Sequence, residues 1–230
     1  MNVLSIFDGI SCGQLALNKA SIKYDKYIAS EIDKHAIEIT KRNFPNTIHI
    51  GDVNNWKENY SLYTDKIDLL LAGSPCQGFS KSGQQLNFND KRSKLFFKFI
   101  EILKETKPKY FLLENVVMKK EWEDIITEYL NIEPVRINSS SVTCQNRDRI
   151  YWTNIPIDKS LFENKSIMLR DIIGDYKGIY VYPRGWNKGG LKGYKGKCPT
   201  ITCSSWQYNF FIVDNNNNKR KFTIEECEQI

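Results

Sequence analysis

Two side chains that can do covalent or proton-transfer chemistry stand where buried strands are expected to end. Cys76 follows the apolar run 67–71 through Gly73-Ser74-Pro75, and a thiolate in a partly open, electropositive site is a nucleophile. Glu114 follows the apolar run 110–113, where a carboxyl group with a raised pKa can donate a proton. Taken singly, an inert buried thiol and a helix-capping or ion-paired carboxylate remain open alternatives.

A third group of polar residues precedes the apolar Ile150-Tyr151-Trp152. Gln145, Arg147 and Arg149 alternate along the chain, so on a strand they would share one face. Two guanidinium groups on a buried sheet face need anionic partners, such as a substrate phosphate, a carboxylate or Glu114. The alternative is a surface face of ordinary ion pairs.

A glycine-containing turn follows the first apolar run and can bind a nucleotide-like ligand. In Phe7-Asp8-Gly9-Ile10-Ser11-Cys12-Gly13, glycine allows close backbone approach. Glu31 ends the second strand, where a carboxylate can take both ribose hydroxyls, and Asp52 ends the third within reach of an adenine. A tight turn with solvated acids is the plain alternative. The full G-x-G-x-x-G of dinucleotide enzymes is absent, which favours another adenosine cofactor.

These residues require a scaffold of alternating strands and helices. Leu95, Phe96, Phe99, Ile102 and Leu103 have helical spacing, as does the segment from Trp122 to Leu130. Near-continuous apolar strands between such helices predict an α/β fold with a mostly parallel sheet covered on both faces. Ligands of such sheets bind beyond the carboxyl ends of the strands, where the strand order reverses. After about Thr153 the pattern fades, which predicts a small lobe of irregular strands and loops.

Composition limits the function classes. The 230 residues suit one large domain, or one domain plus a small lobe. The net charge of +6, with Arg184, Lys188, Lys192, Lys195 and Lys197 in an acid-free stretch, suits an anionic partner; a solvated loop is the alternative. Six scattered cysteines and two histidines predict no metal site. No run approaches the roughly 20 apolar residues of a membrane span, and no signal peptide is visible, so we expect a cytoplasmic protein.

The motifs in order resemble those of the cytosine-C5 DNA methyltransferases over nearly the whole chain. The order is Phe-Asp-Gly-x-x-x-Gly, Glu31, Asp52, Pro-Cys-Gln, Glu-Asn-Val and Gln-x-Arg-x-Arg, and each is weak alone. The residues within these motifs are similar to those of the catalytic domain of the de novo DNA methyltransferases. They are also similar to those of bacterial and phage enzymes of restriction-modification systems. The resemblance implies a Rossmann-like S-adenosylmethionine-dependent methyltransferase fold. It also implies a cofactor and catalytic domain (1–153), a short target-recognition region (154–197) and a return to the catalytic domain (198–230).

The resemblance also implies roles for individual residues. Cys76 would add to C6 of a flipped-out cytosine, Glu114 would hold N3 and the amine, Arg149 would contact the base carbonyl, and Arg147 would orient Glu114 or the phosphate backbone. S-adenosylmethionine, whose product is S-adenosylhomocysteine, would contact Phe7, Asp8, Gly9, Ile10, Ser11, Gly13, Glu31, Ile32, Asp52, Val53, Ser74, Pro75 and Leu95. Double-stranded DNA would contact Gln77, Ser80, Lys81, Gln145, Arg184, Lys188 and Lys192, with residues 78–94 closing over the base.

The sequence departs from the family pattern at its end. The family's final motif would follow Ile230, so we expect a split enzyme with a second chain, a truncation, or a loosely held cofactor, and an exposed apolar groove near Leu15 and Leu17. A tRNA cytosine methyltransferase is the nearest alternative, but its usual Cys-Phe-Thr element is missing. A non-catalytic accessory subunit would not need Cys76 and Glu114. A Rossmann oxidoreductase leaves these two residues and both arginines unexplained.

Overall fold

The computed structural model describes residues 1–60, 66–73, 94–162, 165–183, 188–193, 196–202 and 210–230. Two compact units are present. Unit 1 comprises Met1–Arg136 and Arg149–Ile157, and unit 2 comprises Ile137–Asp148 and Asp158–Ile230. The functional borders expected at residues 153 and 197 remain a prediction.

A mostly parallel sheet forms the centre of unit 1. The first eight strands are β1 (Asn2–Ile6), β2 (Lys26–Ser30), β3 (Ile48–His49), β4 (Leu69–Gly73), β5 (Tyr110–Val116), β6 (Val135–Asn138), β7 (Gln145–Asn146) and β8 (Asp148–Thr153). Seven of them form one sheet in the order β3-β2-β1-β4-β5-β8-β6. The pairs from β3 to β5 are parallel, and β8 is antiparallel to β5. The α/β prediction is therefore confirmed.

The helices of unit 1 have the expected apolar faces. They are α1 (Cys12–Lys19), α2 (Lys34–Asn43), α3 (Trp56–Tyr60), α4 (Lys94–Thr106) and α5 (Lys120–Leu130). On α4, Phe96, Phe99 and Ile102 are at most 1% exposed, because their spacing puts them on the side that packs against the core. On α5, Trp122 and Ile126 lie on the side that packs against the same core.

Apolar residues cover both faces of the parallel sheet. Leu4 and Leu70 belong to the main core, whereas Val3 and Leu69 belong to a second cluster, as the alternation along a strand requires. Leu17 of α1 joins this second cluster and is 8% exposed, while Leu15 is 45% exposed. Leu17 therefore packs against the sheet, whereas Leu15 is exposed, and the exposed apolar groove expected near them stays a prediction.

Unit 2 contains an antiparallel sheet where the sequence predicted irregular strands and loops. Its strands are β9 (Gly178–Val181), β10 (Gly190–Lys192), β12 (Phe210–Val213) and β13 (Lys219–Arg220), in the order β10-β9-β12-β13. A further strand, β11 (Cys198–Pro199), pairs in parallel with β7. The short helices α6 (Arg170–Ile173) and α7 (Ile224–Gln229) complete the unit. Among the described residues, no helix is long and apolar enough to cross a membrane.

Candidate functional site

The strand order of unit 1 reverses at β1. Strand β1 lies between β2 and β4, so its crossovers leave in opposite directions. This is the point where an open parallel sheet has a crevice beyond the carboxyl ends of its strands. The turn after Ile6 and the end of β4 at Gly73 both lie at this point, and Gly73 is in register with Glu114 of β5.

Left-handed backbone conformations shape the turn after β1. Phe7, Gly9 and Ser11 have φ values of 55°, 60° and 61°. Glycine adopts this conformation without strain, whereas a residue with a Cβ is disfavoured by about 1–2 kcal/mol. The Asp8 amide donates to the Ser30 carbonyl at 3.2 Å and the Gly9 amide to Glu31 Oε2 at 2.8 Å, which holds the strained turn against the end of β2.

Glu31 connects this turn to the start of the following helix. Its Oε1 accepts from the amides of Ile32 and Asp33 at 2.8 and 2.9 Å, in addition to the Gly9 bond at Oε2. A carboxylate has about four acceptor positions, so about one is left for a ligand hydroxyl. The adjacent Ile32 is 70% exposed, an apolar surface beside a polar anchor. This combination suits a ribose with an attached base.

Asp8 is held by groups inside the protein. One carboxylate oxygen accepts from Tyr27 Oη at 2.9 Å, and the other accepts from Ser11 Oγ. Burial raises the pKa of Asp8, and the hydrogen bonds from Ser11, Ser5 and Tyr27 oppose that rise. The sequence singled out Asp8 as a cofactor contact, but it carried no local sign that Tyr27, 19 positions away, would be its partner.

Gly13 has a packing role in this structure. A Cβ at this position would lie 2.7 Å from Leu71 Cδ1 and 3.0 Å from Tyr27 Oη. The absence of a side chain therefore lets α1 approach β2 and β4 closely. By contrast, nothing lies within 4 Å of a Cβ built on Gly9, where the positive φ is what requires glycine.

The remaining predicted cofactor residues of unit 1 are distributed around the third strand end and α4. Ser30 Oγ donates to the Gly51 carbonyl at 2.7 Å, which joins the ends of β2 and β3. Asp52 is exposed, and its Oδ1 accepts from the Asn54 amide at 2.9 Å. Val53 is 4% exposed and belongs to the main core, against which the half-buried Leu95 also packs. Ile10 is 48% exposed.

Glu114 and Arg149 form an ion pair across β5 and β8. The sequence placed Glu114 after its strand, but β5 continues to Val116, so Glu114 lies within it. In the antiparallel register Val116 faces Arg149 and Glu114 faces Tyr151, which makes Glu114 and Arg149 diagonal neighbours. Arg149 Nε lies 2.7 Å from Glu114 Oε1, and the two side chains are 16% and 27% exposed. The carboxylate is thus oriented by a cation at one edge of the predicted crevice.

Gln145, Arg147 and Arg149 do not lie on one strand as predicted. Gln145 belongs to β7, which pairs with β11, whereas Arg149 belongs to β8 in the seven-stranded sheet. Arg147 stands between them: its amide donates to Asn138 Oδ1 at 3.1 Å and its carbonyl accepts from the Ser139 amide at 3.0 Å. These bonds take the place of ladder bonds, so the alternation is interrupted at Arg147. The sequence offered no signal for the Asn138 bond.

Several predicted residues lie outside the described part of the chain. They are Ser74, Pro75, Cys76, Gln77, Ser80, Lys81 and Arg184. Of the predicted DNA contacts that are described, Lys188 and Lys192 are exposed. Lys197, from the same basic stretch, has a different environment. Its Nζ donates to the carbonyls of Ser140, Thr143 and Ile167 at 2.9, 3.2 and 2.6 Å, so this charge supports loop structure within unit 2.

Comparisons with known proteins show which family the chain resembles. The family model for C-5 cytosine-specific DNA methylase matches residues 1–178. The orphan methyltransferase M.Rho11sI of Bacillus phage rho11s is 34% identical over 177 residues, which cover 71% of this chain and 34% of that protein. The type II methyltransferase M.NgoBV of Neisseria gonorrhoeae is 39% identical over 117 residues, covering 50% of this chain and 27% of that protein. The chain therefore spans only about a quarter to a third of the length of these relatives.

Proposed function

The chain belongs to the C-5 cytosine-specific DNA methylase family, and from this premise we propose that it transfers a methyl group to C5 of cytosine in double-stranded DNA. The observation that carries the proposal is the match to residues 1–178. That range includes Cys76, Glu114, Arg147 and Arg149, together with every residue proposed for the cofactor. The full activity, the substrate and any second chain are proposals, because the relatives are much longer proteins.

We propose that S-adenosylmethionine binds at the strand-order reversal of unit 1. The sulfonium cofactor supplies an electrophilic methyl group when it is bound. Glu31 would use its remaining acceptor position for one ribose hydroxyl, and the exposed Ile32 and Asp52 would flank the adenine. The left-handed turn at Phe7 and Gly9 would bring the backbone close to the cofactor. Asp8 supports this turn through Ser11 and Tyr27, so its contribution would be largely indirect.

We propose Cys76 as the nucleophile. C5 of cytosine is a weak nucleophile. Addition of a thiolate to C6 gives the ring enamine character, which makes an electron pair available at C5. After C5 gains the methyl group, a base removes the C5 proton and the thiolate leaves C6. Cys76 follows Gly73 by three residues, which span at most about 11 Å of chain, and Gly73 is in register with Glu114. This spacing supports a shared site for the two side chains.

Glu114 and Arg149 would hold the target base from its polar edge. A carboxylate can accept from the exocyclic amine and can share a proton with N3 as charge develops there. Arg149 orients that carboxylate at 2.7 Å, and a guanidinium N–H would also donate to the base carbonyl. In a base-paired cytosine neither the polar edge nor C6 is accessible to these side chains, so the base must leave the helix. Lys188 and Lys192 are exposed cations suited to phosphate contacts.

The test is transfer of labelled methyl from S-adenosylmethionine to mixed-sequence duplex DNA by the full chain. Cys76→Ala should abolish incorporation, while Cys227→Ala, a substitution of an exposed cysteine on α7, should leave it unchanged. DNA with 5-fluorocytosine should trap a covalent complex, since fluorine at C5 cannot leave as a proton does. Incorporation that persists in Cys76→Ala refutes the covalent role, and label that enters tRNA but not DNA moves the substrate to RNA.

Cofactor binding is tested separately by equilibrium dialysis with labelled S-adenosylmethionine. Glu31→Gln should weaken binding at least tenfold, since it removes a charge-assisted acceptor for the ribose and alters the bonds to the turn. Glu38→Gln is the matched control, because Glu38 is exposed on α2 and pairs only with Arg42 among the partners that the structure describes. Equal affinities of the two variants would contradict the proposed cofactor site.

A further inference from the structure

The antiparallel sheet of unit 2 has two chemically different faces. Ile179, Val181 and Phe210 point into the core of the unit, as their register and burial show. The opposite face carries Tyr180, which stands between Phe211 of β12 and Leu191 of β10 in the strand register. Tyr182, two residues further along, lies on the same side. We name this surface, formed by Tyr180, Tyr182, Leu191, Phe211 and Lys219, the aromatic face.

The rings on the aromatic face contact one another edge to face. The Tyr180 and Tyr182 centroids are 5.1 Å apart at 78°, and those of Tyr182 and Phe211 are 5.7 Å apart at 70°. Tyr182 is 40% exposed and Leu191 is 47% exposed. Tyr180 and Phe211 are half-buried, and the buried Val213 lies opposite Lys219 on the same side of the sheet, so burial accounts for part of the cluster. Tyr182 and Leu191 are the large side chains that remain exposed, and exposed apolar surface of this kind marks interaction sites.

A lysine lies directly over these rings. Lys219 is opposite Val213 in the hairpin, which puts it on the aromatic face. Its Nζ is 3.6 Å from the Tyr180 centroid and 5.6 Å from that of Tyr182, so a cation is held at the ring faces. Lysine side chains are otherwise free to extend into water. The aromatic face thus offers ring surfaces and a positive charge within one small area.

The charge of unit 2 fits a polyanion. Its sequence has 13 basic and nine acidic residues, a net charge of +4, and Lys219 lies on the aromatic face itself. Arg220 adds little to this charge, since it pairs with Glu226 at 2.7 Å. The Asp214 carboxylate accepts from the side-chain amide of Asn218 and from the backbone amides of Asn218 and Asn216 in the turn between β12 and β13, and these bonds lower its pKa. A second copy of this chain in a symmetric contact would bring the same basic surface against it, which is repulsive.

We propose that the aromatic face binds an unpaired segment of a DNA strand. Bases would stack on Tyr182 and its neighbours, and Lys219 would pair with a backbone phosphate. Aromatic side chains on a sheet stack on bases without sequence preference, because every base has a π-face. In a duplex both faces of each base are already stacked, so the face selects unpaired strands. This contact involves no catalytic residue and goes beyond methyl transfer to duplex DNA.

The test is fluorescence anisotropy of the full chain without cofactor. The probes are labelled 12-nucleotide oligo-dT, oligo-rU, a duplex of the same length and an abasic DNA strand of the same length. We expect oligo-dT to bind at least about fivefold more tightly than the abasic strand, from stacking of one base or more. Tyr182→Ala should remove most of this difference and leave abasic binding unchanged. Lys219→Gln should lower the slope of log K against log salt by about 0.7. Tighter binding of oligo-rU than of oligo-dT would assign the face to an RNA strand and overturn the proposal.

Matched variants distinguish binding at the aromatic face from the general effects of losing an exposed tyrosine or lysine. Tyr129→Ala removes a tyrosine of unit 1 that is 48% exposed and also contacts two aromatic rings, and Lys104→Gln removes an exposed lysine of α4; neither should change binding. Tyr182→Leu keeps apolar bulk without a ring, so it should lose stacking even if the alanine variant folds poorly. The proposal is overturned by equal binding of oligo-dT and abasic strands or by equal losses in Tyr129→Ala. It is also overturned if Tyr182→Ala lowers the duplex affinity as much as the oligo-dT affinity, since duplex binding through Lys188 and Lys192 does not involve the aromatic face. Self-association that Tyr182→Ala abolishes would assign the face to a second copy.

Discussion

Loss of Arg149 should destabilise unit 1 through the carboxylate that it leaves behind. Arg149 Nε and Glu114 Oε1 are 2.7 Å apart, with both side chains less than one third exposed. A hydrogen bond to a charged group contributes about 1.5–3 kcal/mol net, and exposed pairs contribute about 0.2–1 kcal/mol. Because this pair is partly solvated, we expect a coupling free energy of about 1–2 kcal/mol between Glu114 and Arg149.

The order of stabilities follows from the same geometry. Arg149→Gln leaves a half-buried carboxylate without its cation, which should cost about 2–3 kcal/mol of unfolding free energy. Glu114→Gln combined with Arg149→Gln removes that isolated charge. The double variant should therefore be at least as stable as Arg149→Gln alone, although it remains less stable than the original chain.

The assay is urea unfolding followed by tryptophan fluorescence, since Trp56 and Trp152 are fully buried in unit 1. A midpoint shift at constant slope reports the stability change, and the four proteins form a double-mutant cycle. The exposed pair of Glu38 and Arg42 is the control, with an expected coupling of at most about 0.5 kcal/mol. A coupling for Glu114 and Arg149 no larger than that of the control would refute the reasoning.

Three further predictions concern positioning groups. Burial raises the pKa of Asp8 above its unfolded value of about 4. The stability that the protonated carboxyl contributes is therefore fully present below the unfolded pKa and is lost as pH rises through the folded pKa. Asp8→Asn should remove this decrease when the free energy of unfolding is measured against pH. Lys197→Met leaves three carbonyls without their donor and should cost at least about 3 kcal/mol in urea unfolding, whereas Lys192→Met should stay within about 0.5 kcal/mol. Thr223→Ala removes the capping box of α7 and should lower the thermal stability of unit 2 by about 1 kcal/mol, with Thr223→Ser close to the original; equal losses in both would contradict the cap.

Local patterns were enough to predict most elements of unit 1. The i, i+3, i+4 spacing in α4 and α5 and the short apolar strands each reflect burial on a defined side, which neighbouring residues encode. The elements of unit 2 were harder to predict from the sequence, because its strands are two to four residues long and their pairing joins distant segments. Such short strands carry little periodicity of their own.

The candidate site also has parts that the sequence predicted and parts that it misplaced. The ends of β1, β2 and β4 were predictable, because each follows an apolar run and carries a glycine or a carboxylate. The end of β5 was misplaced by the sequence, since pairing with β8 extends the strand through Glu114 to Val116. The predicted common face of Gln145, Arg147 and Arg149 failed for a similar reason, as β7 and β8 pair with different strands.

The sequence by itself determined the α/β class, the family and the order of the chemical motifs, because these depend on residue type and spacing along the chain. Only the tertiary structure decided which side chains meet. The bond between Asp8 and Tyr27, the pair of Glu114 and Arg149, the internal bonds of Lys197 and the aromatic face all join separate strands or loops. Their partners are set by strand register and packing, and neither is written in the local pattern of polar and apolar residues.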